Sequence, residues 1–220
     1  MTFCTDTDLL HWEPNLLREA AFASQTLLTG TGDLAGTAFT VDGPIGAPSL
    51  LAAHVTPNQV IILTGGTSGS YPIVSVDSGT QLTLSALYDG LFPVSGAGVA
   101  SPVGTADNLG FAIRTFWPQR RVVSDLLLAA AGLDPMREDL DEVVKTPLAL
   151  RKPAVLGTLQ MIYSALAAAA AQPEALATRA DLYERLYRRA LRTTVVELDL
   201  NGDGVADTAR PLNVLQLQRV

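Results

Sequence analysis

The stretch from Asp199 to Asp207 has the residue types and the spacing of a calcium-binding loop. Oxygen-bearing side chains stand where such a loop places ligands, and a glycine stands at its sixth position; the four side chains are Asp199, Asn201, Asp203 and Asp207. Arg210 stands where a bidentate glutamate normally closes the site. Two hypotheses remain: a plain β-hairpin with Asn-Gly and Asp-Gly in its turn, or a hairpin that also holds a cation.

A second group of residues that could form a binding site is a cluster of arginines in one predicted helix of an otherwise acidic chain. Five arginines against Asp181 and Glu184 give this segment a net positive charge; they are Arg179, Arg185, Arg188, Arg189 and Arg192. One hypothesis is an interface with a phosphate backbone or an acidic partner, formed by Arg185, Arg188, Arg189 and Arg192. The other is a solvated helix face with the i,i+4 pairs Asp181–Arg185 and Glu184–Arg188.

The third candidate is the segment that follows Arg210. From Pro211 to Val220 its apolar and polar residues alternate, as in a β-strand that pairs with its own fold or with a neighbour. We expect it to act as a docking arm, with partner contacts from Leu212, Val214, Leu215, Leu217 and Arg219.

Composition excludes several classes of function. The chain has 220 residues and a net charge of −7, which argues against a general electrostatic hold on nucleic acid. Cys4 is its one cysteine, and His11 and His54 are its two histidines, so disulfides, thiolate-rich metal sites and HExxH spacing are excluded. A Cys4–histidine nucleophile pair stays open without a supporting pattern. We predict a non-enzyme without a cofactor, and no membrane span or signal peptide.

Charge and glycine content divide the chain. No Lys or Arg lies between Arg18 and Arg114, and 14 of the 18 glycines fall from Gly30 through Gly110. Short β-branched or alternating runs in this region predict strands at 38–41, 59–64, 71–76, 81–86 and 111–116. These patterns therefore predict that the region is an inserted β module.

Helical periodicity governs the flanks. Helices are predicted over Thr7–Trp12, from Asn15 through Leu27, after Pro118, after Pro153 and after Pro173. The predicted fold class is α+β. It comprises a helical bundle core from residues 1–30 and 114–193, an inserted small β-barrel or sandwich over 31–113, a C-terminal β-hairpin over 194–210 and an extended arm over 211–220.

Four features resemble the head-to-tail connector (adaptor) proteins of tailed bacteriophages. They are the opening Cys4–Leu10 with Trp12-Glu-Pro, the His54–Ser85 module, Thr115-Phe-Trp-Pro118-Gln before a helix, and the closing Asp181-Leu-Tyr183 helix with the Asp199 hairpin and tail. The glycine-rich insertion departs from the smallest members, which are all helical.

The resemblance implies a structural protein of the virion neck, assembled in the host cytoplasm. Such a protein forms a homo-oligomeric ring, of twelve subunits, between the portal protein and the next tail, neck or stopper protein. It continues the channel and so makes transient contact with double-stranded DNA. The resemblance supplies no catalytic residues. The alternative hypothesis is a calcium-dependent extracellular binding module that uses the 199–207 loop, and an unrecognised enzyme is the weakest option.

Overall fold

The protein is an α+β protein, as predicted, and its contacts divide it into two units. The computed structural model describes residues 1–43, 49–86 and 100–212. One unit is Thr5–Phe116, and the other combines Met1–Cys4 with Trp117–Val220. We call them the barrel unit and the helical unit.

The barrel unit contains a closed antiparallel barrel of six strands. The strands are β1 (Thr26–Gly36), β2 (Ala38–Val41), β3 (Val60–Thr64), β4 (Gly69–Val76), β5 (Gln81–Leu84) and β6 (Gly104–Arg114). Their order around the barrel is β1-β2-β5-β4-β3-β6, and β6 closes it by pairing with both β1 and β3. Of the predicted barrel or sandwich, the structure has the barrel. Strands β3 and β4 form a hairpin across residues 65–70, whose glycines suit a turn.

Inward-facing apolar side chains fill the barrel. Phe39 and Phe111 meet edge to face, with ring centroids 5.3 Å apart, among buried Leu, Ile and Val side chains. Gly32 lies beside an irregularity in the β1–β6 register. A Cβ atom at Gly32 would lie 2.5 Å from the carbonyl oxygen of Thr40 on β2. The close approach of the two strands therefore requires glycine at this position.

Short helices belong to the same unit: α1 (Asp6–Trp12), α2 (Leu16–Glu19) and a 3-10 turn at Ala23–Gln25. Thr5 caps α1 in a capping box with Asp8. Asp6 is fully buried, and its carboxylate accepts hydrogen bonds from the Thr115 hydroxyl (2.7 Å) and the Phe116 backbone N–H (2.9 Å). These contacts join α1 to the chain that leaves β6.

The predicted helix from Asn15 through Leu27 is wrong. It ends at Glu19, and Leu27 lies in β1. Residues 5–30 consequently belong to the barrel unit and not to the helical part, so the boundary expected at residue 31 moves to Thr5. The physical reason is that β1 pairs with β6 along its length, and this ladder buries Leu28 and Leu34, a gain that a local helical pattern does not offer.

The helical unit contains α3 (Trp117–Ala130), α4 (Leu140–Val143), a 3-10 turn at Pro147–Leu150, α5 (Arg151–Ala169) and α6 (Glu174–Thr193), followed by β7 (Val195–Leu198) and β8 (Thr208–Pro211). β7 and β8 pair antiparallel, from Val195 opposite Pro211 to Leu198 opposite Thr208. Helix α5 packs against α3 and α6. Among the described residues no helix has the length and apolar character of a membrane span.

Gly157 lies where α5 meets both neighbouring helices. A Cβ atom at this position would lie 2.8 Å from Cγ1 of Val123 on α3 and 3.1 Å from the ring of Tyr187 on α6. Further along α5, the ring of Tyr163 stacks on that of Tyr183 with centroids 5.7 Å apart. The three helices can therefore pack closely at Gly157 because glycine has no side chain.

Candidate functional site

The arginines of α6 form one exposed stripe, which we call the arginine stripe: Arg185, Arg188, Arg189 and Arg192. At about 100° per residue these positions fall within an arc of roughly 100°. The buried residues Ala180, Tyr183 and Ala190 lie on the opposite side of the helix. All four arginines are exposed. The structure therefore brings together the predicted basic residues on a face that α6 does not use for its own packing.

Two members of the arginine stripe have partners on α6. Arg188 forms the predicted ion pair with Glu184. The predicted pair of Arg185 with the Asp181 carboxylate is wrong, because Nε of Arg185 donates to the backbone carbonyl of Asp181 at 3.3 Å. Arg189 and Arg192 have no carboxylate partner within the part of the chain that the structure describes.

Arg179 is set apart from this stripe. Its guanidinium donates to the Tyr163 hydroxyl at 3.1 Å and lies 5.5 Å from the centroid of that ring. It therefore ties α6 to α5, and its role is structural.

The loop from Asp199 to Asp207 turns back on itself through its own side chains. The Asp199 carboxylate accepts from the backbone N–H groups of Gly202 (2.7 Å) and Gly204 (2.8 Å), and both glycines have positive φ. Asp207 accepts from the N–H groups of Leu200 and Asn201 at 2.7 and 3.0 Å. The predicted ligand oxygens thus satisfy backbone donors between β7 and β8.

The ammonium group of Lys145 contacts this loop. The sequence alone did not predict this contact. Its Nζ lies 3.0 Å from Oδ2 of Asp199, whose side chain is 3% exposed. Burial alone would raise the pKa of Asp199, but the Lys145 ammonium and the N–H groups of Gly202 and Gly204 outweigh it and lower that pKa. The only sequence signal for this contact is a lysine directly after the apolar pair Val143-Val144.

A short strand-like segment brings Lys145 to the loop. Val144 bridges Leu198 of β7, and the N–H of Lys145 donates to the Glu197 carbonyl at 3.0 Å. The N–H of Asp199 in turn donates to the Val143 carbonyl at 2.9 Å. Within residues 1–43, 49–86 and 100–212, no three His, Cys, Asp or Glu side chains are grouped so that they could hold a metal ion.

We expect calcium to have little effect on folding. Arg210 replaces the closing glutamate, and its guanidinium donates to the Ala131 carbonyl at 2.8 Å, while Lys145 already neutralises Asp199. Thermal melts with calcium and with a chelator should agree within about 3 °C, since a site worth more than about 1 kcal/mol would move the midpoint by roughly that much. A large drop with chelator would contradict this and favour the calcium-dependent binding module.

An open cleft of about 550 Å³ lies between the 199–204 loop and the segment around α4. Six charged residues line it: Arg137, Asp139, Asp141, Glu142, Lys145 and Asp199. Arg137 pairs with Asp139, and Lys145 pairs with Asp199. Asp141 and Glu142 are exposed and have no cationic partner among the described residues, so the acidic cleft carries two unneutralised carboxylates.

The first two residues of the predicted docking arm, Pro211 and Leu212, belong to the described part of the helical unit. Pro211 is the last residue of β8, and Leu212 is 6% exposed, with its N–H donating to the Thr194 carbonyl at 3.2 Å. Leu212 is therefore part of the core of the helical unit, and the prediction that it contacts a partner is wrong. Val214, Leu215, Leu217 and Arg219 lie outside the described residues.

The one cysteine of the chain is buried, whereas its two histidines are exposed. The buried Cys4 thiol lies 3.8 Å from the Thr158 hydroxyl within the helical unit. His54 is exposed in a left-handed turn, with φ of 54°, and His11 is exposed on α1. On α3, by contrast, apolar Val122 and Leu126 are 48% and 55% exposed.

No protein-family model, curated protein or solved structure matches this chain.

Proposed function

We propose that this chain is a structural virion protein, a head-to-tail connector that forms a ring between the portal and the next tail component. The observation that carries the proposal is the arginine stripe, which stands on the side of α6 opposite its buried residues. In a chain with a net charge of −7, an exposed stripe of this kind is suited to a specific acidic surface. The connector resemblance of the sequence agrees with such a role.

The exposed apolar face of α3 supports the same proposal. Val122 and Leu126 stand one helical turn apart, so they form a continuous apolar strip. Burying the exposed half of both side chains on a partner would contribute about 2 kcal/mol before ordering costs. That is too little for a stable pair of free subunits, but repetition around a ring adds such contacts together. The free protein should therefore be a monomer or a loose oligomer that closes into a ring on the portal.

Residues 213–220 are the proposed docking arm. Their alternating sequence suits an extended segment that gains main-chain hydrogen bonds on a partner and buries Val214, Leu215 and Leu217 there. Arg219 would meet an acidic portal surface. Strand β8 ends at Pro211, so truncation after Leu212 removes none of its residues.

The test is cosedimentation with portal-bearing heads of the virus whose genome encodes this chain. The full chain should sediment with the heads and appear as a ring at the portal vertex by electron microscopy. Truncation after Leu212 should leave the melting temperature within about 2 °C of the full chain and abolish cosedimentation. The substitutions Leu215→Ser and Leu217→Ser together should act like the truncation, whereas Gln216→Ser and Gln218→Ser together should not.

A full chain that does not bind the heads would contradict the connector function. A truncated chain that still binds would show that the dock lies elsewhere, which would overturn the role of the arm alone.

A further inference from the structure

The arginine stripe and the acidic cleft are complementary surfaces on one helical unit. The stripe presents Arg189 and Arg192 without acidic partners, and the cleft presents Asp141 and Glu142 without basic partners. Among the described residues no ion pair joins the stripe to the cleft of the same chain. Every copy of the protein therefore carries one unsatisfied surface of each sign.

We infer that the acidic cleft of a second copy of this chain receives the arginine stripe of α6. This inference rests on the proposed connector function and specifies the contact between neighbouring subunits. Arginine suits the role because its planar guanidinium binds carboxylates through two parallel hydrogen bonds. An open cleft of about 550 Å³ has room for such side chains to enter.

The contact joins two different surfaces, so it is head-to-tail. Each subunit offers its stripe to one neighbour and its cleft to the other, and such an interface produces a ring when its rotation closes. An interface between two identical surfaces would stop at a dimer.

A second copy fits the stripe better than DNA does. The chain as a whole carries seven excess negative charges, which repel a phosphate backbone. The acidic cleft, in contrast, is opposite in charge to the stripe and is present once in every copy of the chain. Exposed ion pairs are individually weak, which agrees with a free protein that associates only loosely.

The experiment is a charge exchange followed by sedimentation velocity at low salt, without portal or heads. Arg189→Glu with Arg192→Glu reverses the stripe, and Asp141→Arg with Glu142→Arg reverses the cleft. Each double variant alone should weaken self-association at least about tenfold, as high salt should do for the wild type. A control reversal at an exposed site outside both surfaces, Asp107→Arg, should change it by less than about twofold.

Two further experiments distinguish a second copy of the chain from DNA as the partner of the arginine stripe. The stripe-reversed and cleft-reversed proteins mixed together should associate with each other, because the intact cleft of one faces the intact stripe of the other. A chain with all four substitutions should regain self-association to within about threefold of the wild type. If DNA were the occupant, binding of a short duplex would be lost in the stripe-reversed protein and would stay lost in the fourfold variant.

Failure of the fourfold variant to associate, with circular dichroism showing it folded, would overturn the inference. So would a wild type that shows no self-association at low salt. Restored association in a protein that does not bind portal-bearing heads would leave the inference standing and contradict the connector function.

Discussion

Replacing Gly157 by leucine is expected to destabilise the helical unit by roughly 2–4 kcal/mol. Even a Cβ atom at this position would lie 2.8 Å from Val123 and 3.1 Å from Tyr187, so the larger side chain must push α5 away from both α3 and α6. Val123 has little freedom to move aside, because its branched side chain is restricted to one preferred rotamer in a helix. Urea unfolding followed by the helical signal in circular dichroism measures the effect.

The matched control for Gly157 is Ala165→Leu on the same helix. Ala165 is exposed, so its substitution should change the free energy of unfolding by no more than about 0.5 kcal/mol. If Gly157→Leu proved as mild as this control, the close three-helix contact would be wrong. Because Tyr187 belongs to α6, a displaced α6 should also weaken the self-association that depends on the arginine stripe.

Replacing Asp6 by alanine is expected to lower the stability of the barrel unit by about 3–5 kcal/mol. The substitution leaves the buried Thr115 hydroxyl and the Phe116 N–H without the carboxylate that accepts from them, and each unsatisfied buried group costs about 1–3 kcal/mol. The removed carboxylate also leaves a void where α1 meets the chain after β6. Urea unfolding of the full chain, followed by hydrogen exchange at barrel amides, measures the loss.

Two controls separate the buried carboxylate from a general effect of losing charge. Asp6→Asn retains one oxygen that can accept from the Phe116 N–H, so its loss should be less than half that of alanine. Asp107→Ala removes an exposed carboxylate from β6 and should change stability by less than about 0.5 kcal/mol. Equal losses for alanine and asparagine at Asp6 would show that the hydrogen bonds at this site do not determine its contribution.

Features governed by short-range chemistry were predictable from the sequence. The β2 strand at 38–41 and the helices beginning near Pro118, Pro153 and Pro173 appear where local patterns place them. Turn residues, helix caps and the alternation of apolar side chains act over a few residues, so a single segment contains the information. The arginine stripe was also predictable from the sequence, because helical periodicity alone puts its four members on one face of the helix.

Only the tertiary structure decided the features that depend on distant partners. Leu27 fits a helical period, yet it lies in β1 because the residues on either side of it, Thr26 and Leu28, pair with β6, which is far away in the chain. Lys145 is more than fifty residues from Asp199, and only the bridge from Val144 to Leu198 brings its ammonium to that carboxylate. Pairing and burial between segments remote in sequence outweigh local propensity, since a strand ladder satisfies backbone groups and removes apolar surface from water at once.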